Sequence, residues 1–181
     1  MDLQDLLEQK SNIFDHVLYE FEMYIETYYK LCENAFVRKV DQVTYNAILE
    51  SHAIHLRNLI DFFNSERDCI SVKTVFEEPD DKSFNDSKYK AKQTVNKAIN
   101  HLTKERLTWN QTEDDLTLRY SQLISPMFNR VMLPRIAYSV NLLIAGQKIK
   151  KEYRDMCKDA DIQQRLLSLK MVSDKQCEEV L

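Results

Sequence analysis

Glycine and proline are scarce in this chain, whose 181 residues include one glycine and three prolines. Strand-rich folds place both residue types at frequent tight turns, so their scarcity argues against a β-sheet protein and for long helices joined by few turns. A single glycine also excludes a glycine-rich phosphate-binding loop, and no nucleophile elbow is present. RNA-binding aromatic motifs of the RRM type require a sheet that we do not expect this chain to form.

Long hydrophobic runs are absent as well. The longest nearly apolar stretch, 136–146, contains Ser139 and Asn141 and is too short to span a bilayer. The first residues, MDLQDLLEQK, are acidic and lack an apolar signal core, so we expect no membrane association and a cytoplasmic location. The cysteines form no CxxC pair and are expected to be reduced: Cys32, Cys69, Cys157 and Cys177.

An excess of positive charge is also missing, because the net charge is −4. The chain as a whole therefore does not attract nucleic acid or anionic membranes, and no recognition of DNA sequence is expected. Hydrophobic residues make up 44% of the chain and charged residues 30%, which is typical of a domain with an ordinary core.

Apolar residues recur at helical spacing along most of the chain. The spacing predicts a first helix over about 3–39, a second from an N-cap at Asp41 to Asn64, and a third over about 87–109. A fourth helix is predicted from Thr112 onward, with a kink or a restart at Pro126, a bend at Pro134 and its end at Gly146. Residues 66–87 read as a long loop with a short helical turn near 72–76. We predict an all-α fold, an up-and-down bundle of four to five long helices in a single domain over 1–146. A small helical tail, an amphipathic extension over 147–181, would dock on the bundle or on a partner.

The second predicted helix carries a polar stripe opposite a wide apolar arc. Glu50, Arg57 and Asp61 fall together on one side of the helical wheel, and Arg57 and Asp61 form an i, i+4 pair. One interpretation is a solvated face with a weak surface ion pair. The other is that the helix is surrounded by neighbours, so that the stripe faces a cleft.

His52 and His55 lie inside the apolar arc of the same helix. A buried imidazole requires hydrogen-bond partners, so we predict hydrogen-bonded histidines of the core or of an interface. The alternative is a metal site, which would need a third donor from elsewhere. The helical di-iron pattern Glu-x-x-His is absent. We therefore predict no metal and no other cofactor.

The third predicted helix contains NKAINHLTKER, in which His101 flanks a narrow apolar stripe. A histidine at the edge of a packed face suits proton transfer, because its charge changes near neutral pH. It equally suits a structural hydrogen bond.

Taken together, ESHAIHLRNLIDFF, a long loop and NKAINHLTKER resemble bacterial proteins of the HEPN-like kind, over about 46–109. The resemblance implies an all-α bundle, commonly dimeric. Many members are metal-independent endoribonucleases or toxins of defence and toxin–antitoxin systems, and others only bind. The family motif places an arginine four to six residues before a histidine: arginine holds the scissile phosphate, and histidine transfers a proton.

His101 matches the family's histidine, but Thr94, Val95 and Asn96 occupy the arginine positions. Lysine does not replace a bidentate phosphate clamp. Arg57 of the neighbouring helix, or Arg106, could supply the charge in space. The predicted binding cleft between the second and third helices then comprises His55, Asn58, Asp61, Asn96 and Lys97, beside His101 and Arg57 as candidate catalytic residues.

Three functions follow from these patterns. The first is a HEPN-like module of a bacterial defence, stress or toxin–antitoxin system that acts by binding a partner protein or RNA, as a homodimer. The second is a metal-independent endoribonuclease that uses His101 and Arg57. The third is a metal-binding bundle that uses His52, His55 and another donor.

Overall fold

The computed structural model describes residues 3–37, 40–65, 70–77 and 126–180, and these residues form helices. In chain order the elements are α1 (Leu3–Val37), α2 (Gln42–Asn64), α3 (Val72–Val75), α4 (Pro126–Ala145), α5 (Lys151–Arg154), a 3₁₀ turn (Met156–Lys158) and α6 (Ala160–Val180). Within these ranges the one extended pairing is an isolated antiparallel bridge between Phe76 and Ile149. The prediction of an all-α bundle with several long helices is confirmed.

Helix α2 begins and ends where the sequence predicts. The Asp41 side chain accepts hydrogen bonds from the backbone N–H groups of Val43 at 2.9 Å and Thr44 at 3.0 Å, which satisfies two donors of the first turn. The last residue of the helix is Asn64, and Ser65 takes a left-handed conformation with φ 54°. The short turn predicted near 72–76 is also present, as α3.

Helix α4 ends at Ala145, directly before the only glycine. Gly146 has φ 63°, in the left-handed region that side-chain-bearing residues rarely adopt, and its N–H donates to the Leu143 carbonyl at 3.2 Å. This is the predicted helix end. Pro134 lies inside α4, and the described part of this helix begins at Pro126. The choice between a kink and a restart at Pro126 stays open, because residue 125 lies outside the described ranges.

The core is built from two helix pairs, α1 with α2 and α4 with α6. Phe14, Leu18, Phe21 and Ile25, which recur at three- and four-residue steps along α1, are buried. Helix α5 packs against them through the rings of Phe14 and Tyr153, whose centroids are 5.8 Å apart. The predicted C-terminal extension contributes to the same core through Ile149, Tyr153, Cys157, Leu166 and Leu169. Residues 147–173 are therefore part of the packing that stabilises the bundle.

Ion pairs tie the last helix to the first. Arg165 on α6 donates to both carboxylate oxygens of Glu22 at 2.8 and 3.0 Å, and to Asp15 at 2.9 Å. The hydrogen bonds to Glu22 raise the pKa of the Arg165 guanidinium above its usual value. A bidentate arginine–carboxylate pair has a defined geometry, so this contact sets the orientation of α6 beside α1.

Several predicted elements lie outside the described residues: the third helix over about 87–109, the start of the fourth helix, and most of the loop 66–87.

Cys32 and Cys157 are free thiols, and burial raises the pKa of Cys157 to about 11. Among the described helices, none combines the length and hydrophobicity that a membrane span requires.

Candidate functional site

A buried carboxylate connects α1 to α2. Glu20, on α1, is 6% exposed, and its side chain accepts hydrogen bonds from Nδ1 of His55 at 2.8 Å and from Nδ2 of Asn58 at 3.1 Å. Nε2 of the exposed His16 lies 3.6 Å from the same carboxylate. An ionised carboxylate only accepts hydrogen bonds, so Nδ1 of His55 carries the proton in this pair.

Helical spacing explains why these groups meet. Val17, Glu20 and Tyr24 lie three and four residues apart, so Glu20 sits on the side of α1 that packs against α2. His55 and Asn58 are three residues apart and lie on the facing edge of α2. Glu20 is buried among apolar residues of α1, and a buried carboxylate requires partners of this kind.

Glu20 and Asn58 border a cleft of about 230 Å³ between α1 and α2. Its walls are formed by His16, Val17, Glu20, Arg57, Asn58, Leu59, Asp61, Phe62 and Ile70. The Arg57 side chain is 38% exposed, and its Nε lies 3.9 Å from an oxygen of the largely buried Asp61. Two members of the polar stripe of α2, Arg57 and Asp61, therefore line this cleft.

His52 lies one turn before His55 in a closed environment. It is fully buried, and its ring stacks on Tyr24 at a centroid distance of 4.8 Å and lies 6.0 Å from Tyr28. Nδ1 of His52 lies 3.0 Å from the Thr27 hydroxyl oxygen, and that hydroxyl is 2.6 Å from the Met23 carbonyl. Since the hydroxyl donates to the carbonyl, Nδ1 of His52 carries the proton and donates to Thr27.

The surroundings keep His52 neutral. Burial and, to a lesser extent, the neighbouring His55 lower the pKa of His52 from 6.5 to about 3. Within the described part of the chain, Nε2 of His52 has no hydrogen-bond partner. The prediction that both histidines are buried and hydrogen bonded is confirmed for Nδ1 of each ring.

The described residues contain no group of three or more His, Cys, Asp or Glu side chains arranged to hold a metal ion. In both histidines the Nδ1 atom is already occupied, by Thr27 in one case and by Glu20 in the other. Nothing within these ranges supplies the third donor that the metal-binding alternative requires.

The structure brings together part of the predicted site. Arg57, Asn58 and Asp61 line the cleft, and His55 lies behind it, bound to Glu20. The candidates from the third predicted helix, Asn96, Lys97 and His101, lie outside the described residues, so their position relative to Arg57 stays a prediction.

Sequence reasoning missed the acceptors on α1, Glu20 and Thr27. Both lie among the aromatic residues of the first helix and are buried, at 6% and 5% exposure. The signal that could have identified Glu20 and Thr27 has two parts. Each lies three or four residues from an aromatic residue of the core, and the apolar arc of the following helix contains two histidines that need hydrogen-bond partners. His16 is exposed, and it also borders the cleft.

Comparison of the chain with protein-family models, with curated proteins and with solved structures finds no match.

Proposed function

We propose that the chain is a HEPN-like helical module of a bacterial defence, stress or toxin–antitoxin system, and that it acts as a homodimer by binding a partner protein. The observation that carries this proposal is the cleft between α1 and α2, where Arg57, Asn58 and Asp61 surround a small volume above the buried Glu20. The HEPN-like resemblance supplies the class of system, and the cleft supplies the binding surface.

The size and charge of the cleft favour a protein partner over RNA. A volume of about 230 Å³ is below the roughly 300–1,000 Å³ of most small-molecule sites, and it suits one inserted side chain. Two carboxylates, Glu20 and Asp61, face one guanidinium, Arg57. Proteins bind phosphate backbones mainly through lysine and arginine, which are outnumbered by carboxylates in this cleft. The net charge of −4 also disfavours RNA binding.

The test is affinity purification of the tagged chain from its own host, followed by reconstitution with the identified protein and titration calorimetry. We expect Arg57→Ala to lose a partner that the wild type retains. Lys158→Ala is the matched control, because it removes a cation that pairs locally with Asp155 at 2.6 Å, away from the cleft. Identical sets of bound proteins for wild type and Arg57→Ala would contradict the proposal.

A metal-independent endoribonuclease is the second candidate, because the partly exposed Arg57 lies at the cleft, two residues after the His55–Glu20 pair. In this proposal Arg57 holds the scissile phosphate, and His101 transfers a proton to or from the ribose 2′-hydroxyl or the leaving oxygen. Purified chain would then degrade single-stranded RNA in EDTA, and overexpression would arrest growth.

The activity assay separates the two candidates. Arg57→Ala and His101→Ala would each abolish RNA cleavage while their thermal unfolding stays that of the wild type. Intact RNA with the wild-type chain excludes the endoribonuclease and leaves the binding module. Cleavage that persists in both variants assigns the activity to other residues or to a contaminant.

A further inference from the structure

A second surface of the molecule is a groove between α1 and α6 that encloses about 870 Å³. Its floor and edges include Ile25, Tyr29, Leu169, Met171 and Val172. Three of these apolar side chains are well exposed: Tyr29 at 46%, Met171 at 73% and Val172 at 38%. Contiguous exposed apolar surface with a polar rim marks an interaction site more often than isolated apolar residues do.

The groove has the shape of a seat for a helix. The α1 wall consists of Glu22, Ile25, Glu26, Tyr29, Lys30 and Glu33, and the α6 wall of Asp161, Gln164, Arg165, Ser168, Leu169, Met171 and Val172. Each wall follows the i, i+3, i+4, i+7 pattern over three turns, or roughly 16 Å at 1.5 Å per residue. The apolar members of this lining are Ile25 and Tyr29 on α1 and Leu169, Met171 and Val172 on α6. Helix-in-groove recognition uses apolar contacts of this kind, and methionine adapts its shape to such a partner.

The rim of the groove is negative. Four carboxylates line it, Glu22, Glu26, Glu33 and Asp161, against two cations, Lys30 and Arg165. Both cations are already held by acidic residues of this chain. Lys30 is 2.6 Å from Glu26, and Arg165 is bound by Glu22 and Asp15. Glu22 and Glu26 are themselves the partners of these cations, so the lining carries two more carboxylates than cations. This balance complements a partner that carries lysine and arginine beside its apolar stripe.

We propose that this groove binds an amphipathic helix of another protein, with apolar anchors at i, i+3, i+4 and i+7 flanked by basic residues. The surface shares no lining residue with the cleft between α1 and α2, and the inference does not depend on the function proposed for that cleft. The negative rim disfavours a second copy of this chain as the occupant, because two acidic rims repel each other.

The experiment uses a fluorescein-labelled synthetic peptide of about 18 residues, roughly five helical turns, with leucine anchors and lysine flanks. Fluorescence anisotropy with the full chain is expected to show saturable binding that weakens as salt rises. A second peptide with glutamate in place of every lysine is expected not to bind. Met171→Glu and Ser168→Lys are each expected to weaken binding of the basic peptide about tenfold.

Exposed positions outside the groove provide matched controls. Val43→Glu is the control for Met171→Glu, because it places the same charge at an apolar position that is 78% exposed. Tyr138→Ala is the control for a third groove variant, Tyr29→Ala, which is also expected to weaken binding of the basic peptide; these tyrosines are 44% and 46% exposed. Both controls are expected to bind as the wild type does. Equal binding of the acidic peptide, or equal loss in controls and groove variants, would overturn the proposal. The proposal would also be overturned if neither peptide bound and sedimentation showed that Met171→Glu converts a dimer to a monomer. In that case the groove would hold a second copy of the chain.

Discussion

His52 and His55 lie three residues apart on the same face of α2, yet they occupy different kinds of environment. His52 is sealed between Tyr24 and Tyr28, and its proton is held by a neutral hydroxyl. His55 donates to a carboxylate that lines a cleft. The residues that differ belong to α1, where Thr27 faces the first histidine and Glu20 the second.

The difference shows that the neighbouring helix decides what each imidazole does. Complete burial and the neighbouring His55 keep His52 uncharged, so it contributes shape and one hydrogen bond to the core. A carboxylate partner fixes the orientation of the His55 ring and links it to the polar groups of the cleft. We therefore expect the free energy of unfolding to depend most on the neutral form of His52 and on the Glu20 carboxylate that binds His55.

Removal of the buried carboxylate is expected to have the largest effect on stability. Glu20→Leu leaves His55 and Asn58 without their shared acceptor, so we expect the free energy of unfolding to fall by about 3 kcal/mol, as for other broken buried pairs. Urea titration with the unfolding followed by circular dichroism measures this change. Glu26→Leu, on the same helix and in an exposed pair with Lys30, is the control and should cost less than about 1 kcal/mol.

A double-mutant cycle distinguishes a specific pair from general loss of packing. If Glu20 acts through His55, then the double variant with His55→Leu is expected to be less destabilised than the sum of the single variants, by about 1–3 kcal/mol. Additive costs would show that the two side chains stabilise the fold independently.

The second prediction concerns pH and the sealed histidine. The pKa of His52 is about 3 in the folded chain and takes the ordinary value of 6.5 in the unfolded chain. Between these two pH values the unfolded chain therefore binds a proton that the folded chain excludes. Stability is then complete above pH 6.5 and falls as the pH decreases toward 3. From pH 7 to pH 5 this group lowers the free energy of unfolding by about 2 kcal/mol, at 1.36 kcal/mol per unit.

The comparison that isolates this effect is wild type against His52→Phe, which keeps a ring against Tyr24 but cannot titrate. Urea unfolding at pH 7 and pH 5 is expected to show a pH-dependent loss that is smaller in the variant by about 2 kcal/mol. An equal loss in both proteins would mean that protonation of His52 does not contribute to acid sensitivity.

The outcome of sequence reasoning differs between the fold and the site for a physical reason. The Asp41 cap and the Gly146 helix end act through neighbours within a turn or two, so local spacing reveals them. Glu20 acquires its role only through packing against a helix that begins some twenty residues later, at Gln42. Spacing within one helix marks both histidines as buried, but it cannot identify their partners.

The third prediction tests the hydroxyl that faces His52. Thr27→Val keeps the shape of the side chain and removes the acceptor for Nδ1–H, so we expect a loss of about 1–2 kcal/mol in the free energy of unfolding. Thr44→Val, whose hydroxyl contacts Asp41 at an exposed position, is the matched control and should lose less. A cost no larger than that of the control would mean that the buried imidazole obtains its partner elsewhere.

The smallest effect on stability is expected at Arg57, because its contact with Asp61 is long, at 3.9 Å, and partly exposed. Arg57→Ala should change the free energy of unfolding by no more than about 0.5 kcal/mol. The same variant is expected to lose partner binding at the cleft. A residue that contributes little to folding but much to binding belongs to a recognition surface, because its side chain completes its contacts only when a partner is present. If Arg57→Ala instead melts much earlier and binds as before, the guanidinium is a structural counterion of Asp61, and the cleft has no recognition role at this position.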